Sequence, residues 1–371
     1  MDSEPDKKPI SICFISPKAY PLFDPAAEGI FGGAEVDLYL LATELAKDAA
    51  FSVSFITADY AQAAEQVTEN VRVIKSLDFQ KNPLTSTMRI WSALERANAD
   101  IYMIKTASPG VPLVSIFCGR HKKIFIYRTA HRYECDGTYL KRHPILGRLF
   151  AAALRRAKVI FAQNTMDGTF LKKTIGVDSV VIANGHRLSQ PADTKKEFIL
   201  WVGRTADFKR PEKFIELATG FSDEKFVMIC QRATGDDAYE RLRETANAAD
   251  NLEFHERVPF AEVGDFFKRA KVLVNTSDSE GFPNTFIQAC KWQTAIASLN
   301  VNPDGFLDEF SCGVCCDGNE DKLADSLRSM LAENRYVELG QNGRKYAEQQ
   351  HDISKIIEIY KATFAELVGG R

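Results

Sequence analysis

The hydrophobic and polar positions of this chain alternate between two periods. Short apolar runs rich in Ile, Val and Phe are separated by longer stretches whose apolar residues recur at helical spacing. In the first half the runs fall at 10–16, 51–57, 71–74, 101–104, 123–127, 158–162 and 179–183. In the second half they fall at 197–202, 225–230, 251–255, 271–275, 294–297 and 313–315. Helical patterns lie between them, for instance at 34–46 and 211–218. Such alternation predicts α/β architecture with parallel sheets covered on both faces. Two successive sets predict two doubly wound domains. The polar stretch 189–196, which contains Pro191, is the natural break, giving domains at 1–190 and 191–352. A last helical pattern at 353–368 has no strand after it. Residues 353–371 are therefore expected to pack back on the first domain.

Residues 271–293 read as a buried strand, a polar turn carrying Glu280, and a helix from about Asn284. Gly281 and Pro283 shape the turn, and Asn284 or Thr285 is a candidate helix cap. A strand, tight loop and helix N-terminus present free backbone N–H groups to an anion. Glu280 beside them is a candidate hydroxyl acceptor. An ordinary βα unit with one surface acid is the plainer alternative.

Composition narrows the function classes. At 371 residues, with 45% hydrophobic and 26% charged content, the chain reads as soluble and multi-domain. No apolar run is long enough to span a bilayer, and the N-terminus lacks an apolar signal core. A cytoplasmic protein is expected. Eight cysteines in this length do not make a disulfide scaffold. The cluster Cys312, Cys315, Cys316 has no second pair or nearby histidine, so no metal site is expected. The net charge of −3 conceals an asymmetry. Residues 1–190 hold 24 basic and 19 acidic side chains, and residues 191–371 hold 23 and 31. One half is thus suited to a polyanion or membrane surface and the other is not. The negative total and the lack of a nucleic-acid-binding motif argue against a nucleic-acid partner.

Two further loops carry candidate chemistry. After the run at 197–202 come Gly203, Arg204 and Lys209, then Pro211 in the first turn of a helix. Cations at a strand's carboxyl end point into the crevice where open α/β sheets bind ligands, and can clamp a diphosphate. A solvated charged loop is the alternative. After the first strand, a long loop leads to Gly32 and Gly33, which open a helix and allow close backbone approach. It is not the GxGxxG dinucleotide fingerprint, which argues against a nucleotide-dependent oxidoreductase. His131 follows the run at 123–127. A lone histidine there is often a core residue, but the carboxyl end of a strand favours function.

With these pieces assembled, FGGAE (31–35), VIANG (181–185), WVGRTADFKRPE (201–212), SEGFPNTFIQA (279–289) and NPDG (302–305) occur in one order along nearly the whole chain. The sequence resembles the retaining GT-B-fold glycosyltransferases of family 4, the group 1 glycosyltransferases. The resemblance implies two Rossmann-like domains facing across a cleft, and a hexosyltransferase-type enzyme. It would move a sugar from a nucleotide diphosphate sugar, UDP- or GDP-linked, to a hydroxyl of a saccharide or lipid-linked acceptor. It also implies roles. Arg204 and Lys209 would bind the diphosphate and stabilise its charge on departure. Gly281, Phe282, Pro283, Asn284 and Thr285 would line the donor site, with N–H groups of Asn284 and Thr285 toward phosphate or sugar. Glu280 would hold hydroxyls of the transferred sugar, and His131 would lie near the reacting carbon. Gly32 and Gly33 would lie against the donor phosphates. Asn184 would sit near the hinge, and the backbone around Val258 would meet the base.

The residue eight past Glu280 is Gln288, where the family usually has a second glutamate that binds ribose. An amide still bonds hydroxyls but forgoes the charge-assisted bond. That departure keeps open a non-catalytic nucleotide-sugar-binding protein or a nucleotide-sugar isomerase on the same fold. Without a second acid, a two-carboxylate hydrolase is unsupported. No Asp-x-Asp pair follows a strand, so the cations stand in for a divalent ion and no cofactor is expected beyond the donor itself. Residues 120–158 are strongly basic, and Leu146, Leu149, Phe150, Ala153 and Leu154 recur there at helical spacing. A core-facing helix with solvated arginines is the simpler reading. Contact with an anionic membrane, at the inner face and near a lipid-linked acceptor, is the other.

Overall fold

A computed structural model describes residues 8–190, 194–233 and 236–370; Pro191, in the polar break, lies outside them. The described residues of Met1–Arg187 and Ile353–Arg371 form one compact unit, and those of Leu188–Asp352 a second.

The first unit is built on β1 (Ile10–Ile15), β2 (Phe51–Thr57), β3 (Glu65–Thr68), β4 (Val71–Lys75), β5 (Ile101–Lys105), β6 (Ile124–Arg128), β7 (Val159–Ala162) and β8 (Val180–Val181). They lie in the order β3-β4-β2-β1-β5-β6-β7-β8. All neighbours are parallel except β3, which pairs antiparallel with β4. The sequence pattern does not predict β3, because EQVT at the sheet edge has no apolar run and its Val67 is 72% exposed. It forms through a tight hairpin in which Glu69 and Asn70 both take positive φ, 51° and 60°. The central strands are buried on both faces, as a parallel sheet between helices requires.

The second unit holds β9 (Phe198–Arg204), β10 (Phe226–Gln231), β11 (Leu252–His255), β12 (Ala270–Asn275), β13 (Ala295–Ser298) and β14 (Gly313–Cys315), all parallel. Their order is β11-β10-β9-β12-β13-β14. Side chains alternate across this sheet. Ile199 and Trp201 join a core with Phe214 and Phe226, whereas Phe198 and Leu200 join one with Phe286 and Phe306.

In each sheet the chain winds outward both ways from one central pair, β1/β5 in the first unit and β9/β12 in the second. The crevice at such a switch point, outside the carboxyl ends of the strands, is where this architecture places ligands.

The last helix, Ile353–Gly369, packs on the first unit. Tyr360 meets Phe161 with ring centroids 5.0 Å apart, and Lys361 pairs with Asp48 at 2.9 Å. Gly185 makes room for its start: a Cβ there would lie 3.0 Å from the Ile353 side chain. All eight cysteines are free thiols. Among the described residues no group of three or more His, Cys, Asp or Glu side chains is placed to hold a metal ion. No helix among them is long and apolar enough to cross a membrane.

Candidate functional site

The second unit brings together loops that are 71 residues apart in sequence, because β9 and β12 are hydrogen-bonded neighbours. After β9 the chain turns through a short 3-10 segment, Asp207–Lys209, into helix Pro211–Thr219. After β12 it turns through 276–283 into helix Asn284–Lys291. Three bonds zip the two loops. Trp201 Nε1 donates to Thr276 Oγ1 at 2.9 Å, and that hydroxyl donates to the Lys209 carbonyl at 2.7 Å. The Asp278 N–H donates to the Phe208 carbonyl at 2.7 Å. Gly203 belongs to the same assembly: a Cβ there would lie 2.6 Å from the Trp201 ring, so only glycine leaves the indole in place.

Lys209 Nζ forms an ion pair with Glu280 Oε1, and Ser277 Oγ donates to the same oxygen at 2.9 Å. Arg204, half-buried at the end of β9, has no ion-pair or side-chain hydrogen-bond partner among the described residues. A half-buried guanidinium without a counter-charge is costly unless an anion visits it.

Helix Asn284–Lys291 has Pro283 in the N-cap position and no side-chain cap. This corrects the expectation that Asn284 or Thr285 caps it. Proline offers no side-chain acceptor, and both candidates lie inside the first turn. The helix therefore starts at the carboxyl edge of the sheet with the positive end of its dipole and no side-chain cap. Phe282 is buried against Phe306 and His351, with centroids 5.3 and 4.8 Å away, which anchors the turn formed by Gly281 and Pro283. Gln288, one helical turn beyond Asn284, is half-buried, and its amide makes no hydrogen bond among the described residues. Val258 buries its side chain in the core, leaving only backbone for any ligand.

In the first unit, Gly32 takes the N-cap position of helix Gly33–Leu45, and its N–H donates to Glu35 Oε2 at 2.8 Å. His131 follows β6 and caps the short helix Arg132–Cys135, with Nδ1 accepting from the Tyr133 N–H at 3.2 Å. In the neutral ring this puts the proton on Nε2. Beneath the loop the buried Glu134 carboxylate accepts from Tyr127 Oη (2.7 Å), the Ala130 N–H (3.0 Å) and the Ala107 N–H (3.1 Å). Burial pushes its pKa up, against those donors. Asn184 is committed internally: it accepts from Arg128 Nη2 at 2.6 Å and donates to Gln163 Oε1 at 2.9 Å. Its side chain fixes the 182–184 segment.

The residues matched by the family models are 31–190, by Glycosyltransferase Family 4, and 185–349, by Glycosyl transferases group 1. The chain belongs to the group 1 glycosyltransferases. This glycosyltransferase also resembles solved structures over nearly its whole length. Sucrose-phosphate synthase from Thermosynechococcus elongatus superposes with a TM-score of 0.78 at 16% identity, covering 98% of this chain and 100% of that one. WaaG, a glycosyltransferase involved in lipopolysaccharide biosynthesis, gives 0.69 at 15%, covering 97% and 100%. A structure described as trehalose-6-phosphate from E. coli bound with UDP-2-fluoro glucose gives 0.70 at 11%, covering 95% and 98%. At these identities the likeness is one of fold, the GT-B class. No curated protein sequence matches the chain.

Sequence reasoning missed a buried charge network in this glycosyltransferase. Asp37 accepts from Lys105 Nζ at 2.7 Å and Arg128 Nε at 2.6 Å, all three buried. Burial works against the Asp37 carboxylate, but Arg128 and then Lys105 outweigh it and hold its pKa at about 2. A signal was present: Lys105 and Arg128 each end an otherwise apolar strand, and the two pair in register on β5 and β6. The Trp201–Thr276–Lys209 relay had no such signal, since it depends on β9 lying beside β12.

Proposed function

We propose that the protein is a retaining, metal-independent glycosyltransferase that moves a sugar from a UDP- or GDP-linked donor to a hydroxyl of a saccharide or lipid-linked acceptor. The observation that carries this reading is the β9/β12 crevice. Arg204, without a counter-charge among the described residues, the Lys209–Glu280 pair and a helix N-terminus without a side-chain cap all belong to it. Arg204 and Lys209 supply fixed positive charge where negative charge grows on the oxygen bridging sugar and phosphate. The N-terminus of helix Asn284–Lys291, which no side chain caps, adds a further favourable field. When donor binds, Lys209 has an anion to face, which leaves Glu280 to accept sugar hydroxyls. His131, protonated on Nε2, would donate to the donor or the acceptor near the reacting carbon. UDP is the first nucleotide to test, because one similar fold is described with a UDP-sugar bound.

The acceptor would meet the first unit. Helix Pro144–Leu154 buries Phe150, Ala153 and Leu154 in the core, as the simpler reading expects. It leaves Ile145 (79% exposed) and Leu149 (49% exposed) outward, one turn apart, beside Arg148. That pattern suits shallow contact with an anionic membrane carrying a lipid-linked acceptor.

The test is thermal-shift screening against UDP, GDP and their sugars, followed by measurement of nucleotide diphosphate released with and without acceptor. Arg204→Ala is expected to fold normally and lose about 100–1000-fold in turnover. Wild-type turnover in that variant would sink the assignment.

A further inference from the structure

The first unit carries a cavity of about 770 Å³, lined by Arg120, Lys122, Lys123, Arg156 and Lys158 and by no acidic side chain among the described residues. Lys123 immediately precedes β6 and Lys158 immediately precedes β7, so the cavity opens at the amino ends of the strands. His131 follows the opposite end of β6. A five-residue strand separates the two by roughly 17 Å. The cavity is therefore not part of the edge that carries His131 and Gly32.

Cations commonly collect where helices end, as partners for the helix dipole. Three helices finish here: Gly110–His121, Pro144–Leu154 and Ile353–Gly369. Their ends contribute roughly −0.5 each, about −1.5 together. Five full positive charges exceed this clearly. Of the five, only Lys123 has a side-chain partner among the described residues, the neutral Asn98 Oδ1 at 3.3 Å.

A second observation is independent of charge. Ser115, inside helix Gly110–His121, borders the same cavity, is only 4% exposed, and its hydroxyl has no hydrogen-bond partner among the described residues. A mid-helix serine usually donates back to the preceding turn. A buried hydroxyl left unpaired is costly; its oxygen is closed to solvent in the rotamer seen, and a turn about χ1 toward the cavity would bring it to an oxygen-rich ligand. Ile116 and Leu367 provide apolar wall beside the cations. The volume lies within the range of small-molecule sites.

We propose that this cavity is a binding site for a phosphate-bearing ligand, with Arg120, Lys122, Arg156 and Lys158 neutralising its charge and Ser115, once turned about χ1, donating to one phosphate oxygen. Four cations without counter-charges suffice for two phosphate groups. The ligand is either a soluble phosphorylated molecule or the headgroup of an anionic lipid. The site does not rest on the transfer reaction proposed above.

The test uses the full chain with labelled isoleucine methyl groups at low salt, titrated with inorganic pyrophosphate. Ile116 and Ile124 report on the cavity, and Ile287, in helix Asn284–Lys291, reports on the second unit. Saturable shifts at Ile116 and Ile124 are expected. Arg156→Glu/Lys158→Glu should weaken them by at least about tenfold, and Ser115→Ala by about twofold to tenfold, as lost charged and neutral hydrogen bonds respectively. Both cations are exposed, so the double variant should melt like wild type. UDP-induced shifts at Ile287 should be unchanged in it, which separates failure of this site from failure of the donor site. In parallel, flotation is compared on phosphatidylcholine vesicles with and without phosphatidylglycerol. Flotation that requires phosphatidylglycerol, Arg156 and Lys158, without a response to pyrophosphate, identifies a lipid phosphate as the ligand. No shift at Ile116, together with flotation indifferent to the double substitution, overturns the proposal.

Discussion

Replacing Lys209 by methionine keeps most of the apolar stem and removes the charge, and the structure separates its two consequences. The first is on stability. Lys209 and Glu280 are 16% and 10% exposed, and without the ammonium Glu280 keeps only the Ser277 hydroxyl at 2.9 Å among the described residues. Breaking a fully buried pair costs about 3–5 kcal/mol; partial solvent access here reduces that to about 1–3 kcal/mol. The second is on catalysis. Loss of one preorganised charge facing a departing diphosphate raises the barrier by about 3–4 kcal/mol, or roughly 100–1000-fold in turnover. The double variant Lys209→Met/Glu280→Gln discriminates between them, because it removes both charges and lets an amide take the Ser277 hydroxyl. Its melting temperature should recover most of what Lys209→Met loses, while turnover at saturating donor, read as nucleotide diphosphate released, stays down. If the double variant recovers turnover to within tenfold of wild type, Lys209 does not act on the leaving group. If its melting temperature fails to recover, the loss in Lys209→Met comes from the missing pair itself and not from an uncompensated Glu280 charge.

Other outcomes follow from the same geometry. Gly203→Ala places a methyl group against the Trp201 ring and should break the Trp201–Thr276–Lys209 relay. A loss of about 1–3 kcal/mol in denaturant titration, with a raised donor KM, is expected, and an unchanged midpoint would show that the indole is not constrained. Gln288→Glu introduces a carboxylate one turn into helix Asn284–Lys291 and should tighten UDP binding about fivefold by calorimetry, as a charge-assisted bond replaces a neutral one. No gain would place Gln288 outside the ribose contacts. Asp37 ordinarily titrates at 3.8 and is held at about 2 in the folded chain. Between these values the unfolded chain binds the extra proton, so this stabilisation is fully present above about pH 4 and is lost as pH falls toward 2. Asp37→Asn should lower stability at neutral pH, leaving Lys105 and Arg128 without their anion. It should also remove up to one proton from the acid slope of the urea midpoint, and an unaltered slope would contradict the buried ion triad.

The sequence by itself determined the elements and the chemistry available at their ends. Apolar runs such as 51–57 and 313–315 became β2 and β14 with the same limits; β2 is a nearly fully buried inner strand, which can be made of little else. Arg204, Lys209, Glu280 and His131 were legible as candidates because polar side chains directly after apolar strands must lie at the sheet's carboxyl edge. Where local signal was weak, the reading failed. The edge strand β3 carries no apolar run, and the Pro283 cap shows only in backbone geometry.

Tertiary structure decided which strand ends are neighbours. Two strands and their helices separate β9 from β12 along the chain, and no local pattern says that they pair. Only that pairing lets Lys209 reach Glu280 and Thr276 bind the Lys209 carbonyl. It also leaves Arg204 without a counter-charge among the described residues. The buried Asp37–Lys105–Arg128 triad exists for the same reason. Each charge alone would be expelled from the core, and long-range packing supplies the partners that keep it there.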